Sequence, residues 1–431
     1  MLRQLQDRLA NANPWLVYLP FLLLYCILAL FTSPHDQLVL DEGRYWGFAE
    51  NLLNGHFHYK EGYQFLWSGP GYPILLMPFV AFDSPLWVLK LLNAALLFSS
   101  VVLFSKLLRL YVSPRQALYG ALLFACYYPM YEVGLPYVMT EAWSMFLTVA
   151  PTYFICKAFR FKDYRLKTLI LPSVLLGMLA LTKVIFGYVL LAMIVICLAI
   201  WLLRGRSRRM AHMTKFFSLA MLVCLPYLVY TFTLTGKVFY WGNAGGLQLY
   251  WMATPYENEL GDWHVDTLEE DSTLMKNHGA FFAEINPLSP LEKDEALKKR
   301  AIENIKAHPK KFAYNWIANL GRTFFSHPLS FLKPSNGLFK YLVPNIFLIV
   351  FVVLMAIPTI RYYKKFPLEI LIMLVFSMIY LGGISVLSSY PRFLFMVVPI
   401  WMLWIAWGLH RFVTLNFGSS KEANLPQPKE Q

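Results

Sequence analysis

Apolar residues run along this chain in blocks of about twenty, separated by short polar clusters, with neither the alternation of a half-buried strand nor the one-sided stripe of a soluble helix. Windows near 15–32, 85–105, 116–132, 139–156, 168–182, 184–203, 216–233, 342–360, 368–387 and 394–411 each approach the length needed to cross a bilayer. The pattern predicts an all-α integral membrane protein, a polytopic bundle of about 10 transmembrane helices.

The cations orient it. Arg3 and Arg8, then the connections from Lys106 to Arg115, Lys157 to Lys167, Arg204 to Lys215 and Arg361 to Lys365, are rich in Lys and Arg, and the intervening short connections hold almost none. The positive-inside rule puts the basic connections and both ends of the chain in the cytoplasm, so residues 33–84 and 235–340 face outward from the cytoplasmic (inner) membrane, toward a periplasm or exterior. The expected organisation is a transmembrane module over 1–233 with its first outward loop at 33–84, an outward loop and helical cap over 234–341, and C-terminal transmembrane helices with a tail over 342–431.

Composition agrees: 58% hydrophobic and 15% charged is far from a soluble domain. The net charge of +13 then reads as topology plus attraction to lipid headgroups. No basic patch interleaved with aromatics suggests nucleic acid as a partner. The first apolar run is followed by "CILALFTSPHDQ", without a small-residue cleavage site, and reads as an uncleaved helix. Cys26, Cys126, Cys156, Cys197 and Cys224 fall inside predicted spans without paired spacing, which indicates neither disulfides nor a cysteine metal site.

The outward segments carry the finer patterns. "GRYWGFAENLLNGHF" places Tyr45, Phe48, Ala49, Leu52 and Leu53 on one side and predicts an amphipathic interfacial helix that starts at Asp41 and Glu42. "SGPGYPILLMPF" is a Pro-kinked apolar piece too short to span. Ala301, Ile302, Ile305, Phe312, Trp316, Leu320 and Phe324 recur at helical spacing and predict a cap of two helices broken at Pro309. Between them, "TGKVFYWGNAGGLQLYWMATP" reads as a loop or short strands.

Ionisable residues cluster at the outward ends of the spans. Asp41 and Glu42 follow the first span, Glu141 opens the fourth with Glu132 nine residues earlier, and Lys183 and Arg392 are isolated cations on the same side. Taken singly, each has a plain explanation: a solvated flank, an acid at a helix N-terminus, or a cation reaching lipid phosphates. His35, His56 and His58 offer no third ligand at a recognisable spacing and read as loop histidines, while "GNAGGL" lacks the ending and context of a phosphate-binding loop. Among transport proteins, a flippase for lipid-linked sugars is the rival class, but charges deep within spans would be expected there and only Lys90 is so placed.

The order of short motifs resembles GT-C glycosyltransferases. Asp-Glu after the first helix, "Y..FAE.LL.G", "GPGYP" before the second span, "TEAWSMFL", "LALTK", "GGLQLYW", "NIKAHPKKF" and "YPRFLFMVVPIW" follow that layout over nearly the whole chain. The pattern is most similar to glycosyltransferase family 39, which includes protein O-mannosyltransferases and the lipid A aminoarabinose transferase. The resemblance implies inverting transfer of a sugar from a polyprenyl-phosphate-linked donor to a lipid, glycan or protein acceptor at the outer face. It implies Asp41 as general base, Glu42 as its supporting group, and Glu141 approaching Asp41 around the sugar or a shared divalent cation, Mg or Mn. A donor whose phosphate gains charge as it leaves would meet Lys183 and Arg392, and Tyr45, Trp67, Tyr72 and Tyr250 would line the substrate pocket. One departure stands out: Ser68 and Gly69 occupy the place where the aminoarabinose group carries a Lys or His before a Pro-Pro pair.

Overall fold

Proline decides where the apolar blocks are cut into helices. The computed structural model describes residues 2–32, 37–39, 41–57, 65–264, 268–331 and 338–413, and among them the regular structure is helical, with no β-strand. An amphipathic α1 (Leu2–Asn11) leads into α2 (Pro14–Val17) and α3 (Leu19–Phe31), so the expected span near 15–32 is two pieces joined at Tyr18. The first loop contributes α4 (Asp41–Leu53) and α5 (Gly71–Ala81), which pack on one another. Then come α6 (Leu86–Leu108), α7 (Pro114–Ala125), α8 (Pro129–Gly134), α9 (Thr140–Arg160), α10 (Lys167–Thr182), α11 (Ile185–Leu203) and α12 (Arg208–Thr235). The cap follows as α13 (Gly245–Met252), α14 (Ser272–Ile285), α15 (Pro290–Ala307) and α16 (Pro309–Phe325), and the chain returns through α17 (Leu338–Tyr362), α18 (Leu368–Ser385), α19 (Pro391–Leu394) and α20 (Val398–Phe412).

This is a multi-pass membrane protein, but the ten expected crossings are not ten long helices. Five helices among the described residues are long and apolar enough to span: Leu86–Leu108, Ile185–Leu203, Arg208–Thr235, Leu338–Lys365 and Leu368–Ser385. The block near 116–132 is split by Pro129 into α7 and α8, and the last one is shortened by the separate turn of α19. A proline lacks the N–H that would continue a helix and clashes with the carbonyl four residues back, so each is tolerated best at a fresh first turn.

One buried core runs from Ala10 to Trp407 and draws on the N-terminal and C-terminal helices alike. α6 packs on α9, α10 on α9 and α12, and α18 on α11 and α20. Some polar side chains inside it are paired across helices: Tyr127 donates to Asn345 at 2.6 Å, and Tyr25 to the carbonyl of Ala125 at 2.8 Å.

The cap has its own core, with Trp251, Leu274, Ile285 and Ala301 fully or nearly buried. Its two late helices are separated at Pro309 as the spacing predicts, whereas α14 lies outside that prediction and the expected loop or strands over "GGLQLYW" are the helix α13. Gly246 there serves a close approach. A Cβ on Gly246 would sit 2.3 Å from the carbonyl oxygen of Asp294, and the Gly246 amide donates to Asp294 Oδ1 at 2.6 Å. Asp294 thereby holds the start of α13 against α15.

Candidate active site

The first loop, the α10–α11 break, the start of the cap and α19 converge on one cavity of about 440 Å³. Asp41, the first residue of α4, opens into it. Its Oδ1 accepts from Arg44 Nη2 at 2.8 Å, one helical turn on, and its Oδ2 from Arg392 Nη1 at 3.4 Å, across 351 residues of sequence. Arg44 also lies over the rings of Tyr45 and Trp67, 5.4 and 5.6 Å from their centroids. Burial works against the charged guanidinium of Arg392, but the carboxylates of Glu141 and Asp41 outweigh it and hold its pKa above the ordinary arginine value.

Glu141 sits beneath this floor. It is fully buried in the first turn of α9, where the helix N-terminus favours an acid, and its Oε1 is 3.1 Å from Lys183 Nζ. Lys183 ends α10 in an extended conformation (φ −119°, ψ 93°), which turns its side chain out of the helical hairpin and over the ring of Phe393 at 5.3 Å. Lys298, from α15, completes the lining and pairs with Asp294. In this group four cations, Arg44, Lys183, Lys298 and Arg392, meet three carboxylates, Asp41, Glu141 and Asp294. One positive charge is left over.

The glycines of "SGPGYP" explain the departure noted in the sequence. No charge comes from Ser68 or Gly69. Instead the backbone itself closes on the end of α10: a Cβ on Gly69 would lie 2.0 Å from the Leu181 carbonyl oxygen, and one on Gly71 2.5 Å from Thr182 Oγ1. This packing seats Trp67 and Lys183 in the same cavity. Gly69→Ala is therefore expected to destabilise the protein by about 1–3 kcal/mol and to impair activity, whereas Gly47→Ala, which meets nothing within 4 Å, leaves both near wild type; thermal unfolding and turnover of the purified variants check this.

Several expected residues hold other places. Glu42 faces away from Asp41, and its carboxylate takes the amides of Val138 at 2.6 Å and Val39 at 3.0 Å, pinning α4 to the segment before α9. It is a structural peg, not the partner of Asp41, because adjacent helix positions point about 100° apart. Tyr72 is buried beside the site, edge-on to Tyr45 at 5.3 Å, while Tyr45 and Trp67 do line the cavity. Tyr250 belongs to the cap interior: its hydroxyl is hydrogen-bonded to His278 Nδ1 at 2.7 Å, and His278 Nε2 lies 2.9 Å from Glu259. Glu132 pairs with Lys340 and Tyr341, away from the cavity. His35 and His58 lie outside the described residues.

The sequence reading overlooked Arg44 and Lys298. Arg44 carries a signal, since an arginine three residues after an acid on a helix faces it. Lys298 carries none, because a lysine on an amphipathic cap helix looks like a solvated face.

A shared divalent cation does not fit these acids. Both Asp41 oxygens point at guanidinium groups and Glu141 is matched by an ammonium, so a dication would be seated among positive charges; no group of three or more His, Cys, Asp or Glu gathers among the described residues.

Compared with known proteins, the sequence matches no family profile and no curated protein. Solved structures do match. The apo oligosaccharyltransferase of Archaeoglobus fulgidus superposes with a TM-score of 0.51 at 13% identity, over 91% of this chain and 50% of that one. What is shared is the fold. Two further structures of that archaeal enzyme cover this chain equally: the complex of AglB with an inhibitory peptide and a dolichol-phosphate (TM-score 0.48, 14% identity, 50% of that chain), and the form tethered to an acceptor peptide (0.48, 15%, 49%). The chain thus spans about half the length of the solved structures it matches.

Proposed function

We propose that this protein is an inverting membrane glycosyltransferase, similar to family 39, that moves a sugar from a polyprenyl-phosphate-linked donor to an acceptor at the outer face of the cytoplasmic membrane. The observation that carries this reading is the cavity that holds Asp41 among cations with one positive charge to spare, at one end of an apolar bundle. A lipid phosphodiester brings one negative charge into that site.

Transfer then proceeds in one displacement. The acceptor oxygen or nitrogen attacks the anomeric carbon, the bond from that carbon to the phosphate oxygen breaks, and the proton of the acceptor passes to the Asp41 carboxylate. The leaving lipid phosphate gains a second negative charge. Arg392 and Lys183 are placed to stabilise it more strongly than the donor, which lowers the barrier and not merely the energy of binding. Arg44 and Arg392 hold Asp41 in orientation from both oxygens. The side of the cavity formed by Ile185, Tyr188, Gly383 and Val386 is apolar and opens between α11 and α18, where Tyr188 and Val386 are exposed; the lipid tail of the donor leaves the site there.

The five long helices are joined, in this reading, by five further crossings built from α2–α3, α7–α8, α9, α10 and α20, with the basic connections in the cytoplasm. Transfer from a polyprenyl-phosphate sugar to an acceptor by the purified protein, lost with Asp41, tests the proposal. Protein cations do the work of charge neutralisation, so a chelator is expected to leave the rate unchanged; stimulation by Mg²⁺ or Mn²⁺ that vanishes in Glu141→Gln would show that a metal bridges the acids after all.

A further inference from the structure

A second cavity, of about 490 Å³, lies between the first loop and the cap helices α14 and α15. It stands back to back with the reaction cavity. Trp67 lines both, Asn243 lines the second while its neighbours Gly242 and Ala244 line the first, and the Asp294–Lys298 pair straddles the wall with Asp294 on one side and Lys298 on the other. The two cavities share a wall in which Trp67 is held by Phe65, Trp263 and Arg44.

The lining combines two chemistries. Phe65 and Trp67 are stacked with centroids 5.0 Å apart and give a flat aromatic wall, and Phe282 provides another ring. Around them stand hydrogen-bonding groups: the exposed carboxylates of Glu269 and Glu270 at the mouth, and Lys293, whose ammonium donates to Asn286 Oδ1 at 2.7 Å. A lipid tail would bury these charges without partners. An anionic polymer would meet an excess of carboxylates. A sugar ring suits both features, since its C–H face packs on an aromatic plane while its rim of hydroxyls donates to carboxylates and accepts from ammonium and amide groups. The volume is within the range of small-molecule sites.

We infer that this outer cavity is the acceptor site and that the acceptor is a saccharide, seated on Trp67 with one hydroxyl directed through the partition toward Asp41. The inference rests on the transferase reading and deepens it by naming the acceptor class. No peptide or lipid is needed to fill the site.

The test is binding, apart from turnover. Full-length protein in lipid nanodiscs is titrated with a panel of soluble neutral, amino-sugar and uronic-acid oligosaccharides and with a capped hexapeptide. At least one oligosaccharide is expected to bind saturably, and Trp67→Ala to weaken it by about tenfold, with Trp67→Phe partly restoring it. Because Trp67→Ala also loosens the loop, the exposed pair is changed separately: Glu269→Gln with Glu270→Gln, which leaves packing intact, is expected to weaken the same oligosaccharide. Saccharide binding that responds to Arg392→Gln but not to the Glu269/Glu270 pair would put the sugar in the reaction cavity and overturn the inference. So would saturable peptide binding with the Trp67 and Glu269/Glu270 sensitivities, or no saccharide binding across the panel. Donor cleavage assayed in parallel keeps the two readings apart: Asp41-dependent donor use without saccharide binding sinks only this inference, and saccharide binding without any donor use sinks the transferase reading.

Discussion

Asp41→Asn is expected to lower sugar transfer by roughly 100-fold to 10,000-fold, the loss associated with removing a general base, while the protein folds normally. Asparagine has the size of aspartate and still accepts one hydrogen bond, from Arg44 or Arg392, but it cannot take the proton of the acceptor. Both ion pairs of Asp41 are partly open to solvent, and pairs of that kind contribute about 1 kcal/mol or less to stability, so thermal unfolding should stay close to wild type. Binding of the donor lipid is expected to persist. The decisive measurement is single-turnover transfer by purified variant and wild type at equal donor occupancy. A variant as fast as wild type would reduce Asp41 to an anchor for two arginines and remove the basis of the mechanism.

The second large effect concerns the phosphate. Lys183 cannot simply be truncated, because Glu141 would then be an uncompensated buried charge, a loss of about 3–5 kcal/mol that confuses folding with function. Lys183→Gln combined with Glu141→Gln keeps a neutral hydrogen-bonded pair in the same space. This double variant is expected to fold, and to use the donor about tenfold to a hundredfold less well, the worth of one charge-assisted contact. Arg392→Gln should lose at least as much, since its guanidinium pairs with the Asp41 carboxylate and, in the proposed mechanism, would also meet the departing phosphate. If the charge acts on the transition state, kcat falls more than the donor KM rises. Unchanged donor kinetics in both variants would assign these cations to structure alone.

Much of this site was legible in the sequence because charge is costly in an apolar chain. Asp41, Glu141, Lys183 and Arg392 drew notice as ionisable residues at span ends on one side of the membrane, and topology alternation alone required that they share a face. The helical caps, the break at Pro309 and the amphipathic α4 followed from spacing, which is a local property of the chain.

Other features depend on contacts between distant segments, for which spacing holds no record. Asp41 and Glu42 are neighbours in sequence, yet one faces a guanidinium 351 residues away and the other two backbone amides, because successive helix positions diverge and the surroundings assign each its task. Tyr250 looked like a pocket aromatic until packing on His278 drew it into the cap, and Lys298 looked like a solvated lysine until α15 brought it over the cavity. Glycines read as a loop signal at 245 and 246 start a helix, and Gly246 provides room for Asp294. The sequence by itself determined the class of protein and the approximate place of most apolar helices, which follow from the energetics of single segments in a bilayer. Only the tertiary structure decided which carboxylate meets which cation, how many apolar blocks form unbroken helices, and that Trp67 divides two cavities, because those outcomes rest on close packing between parts of the chain that no local pattern relates.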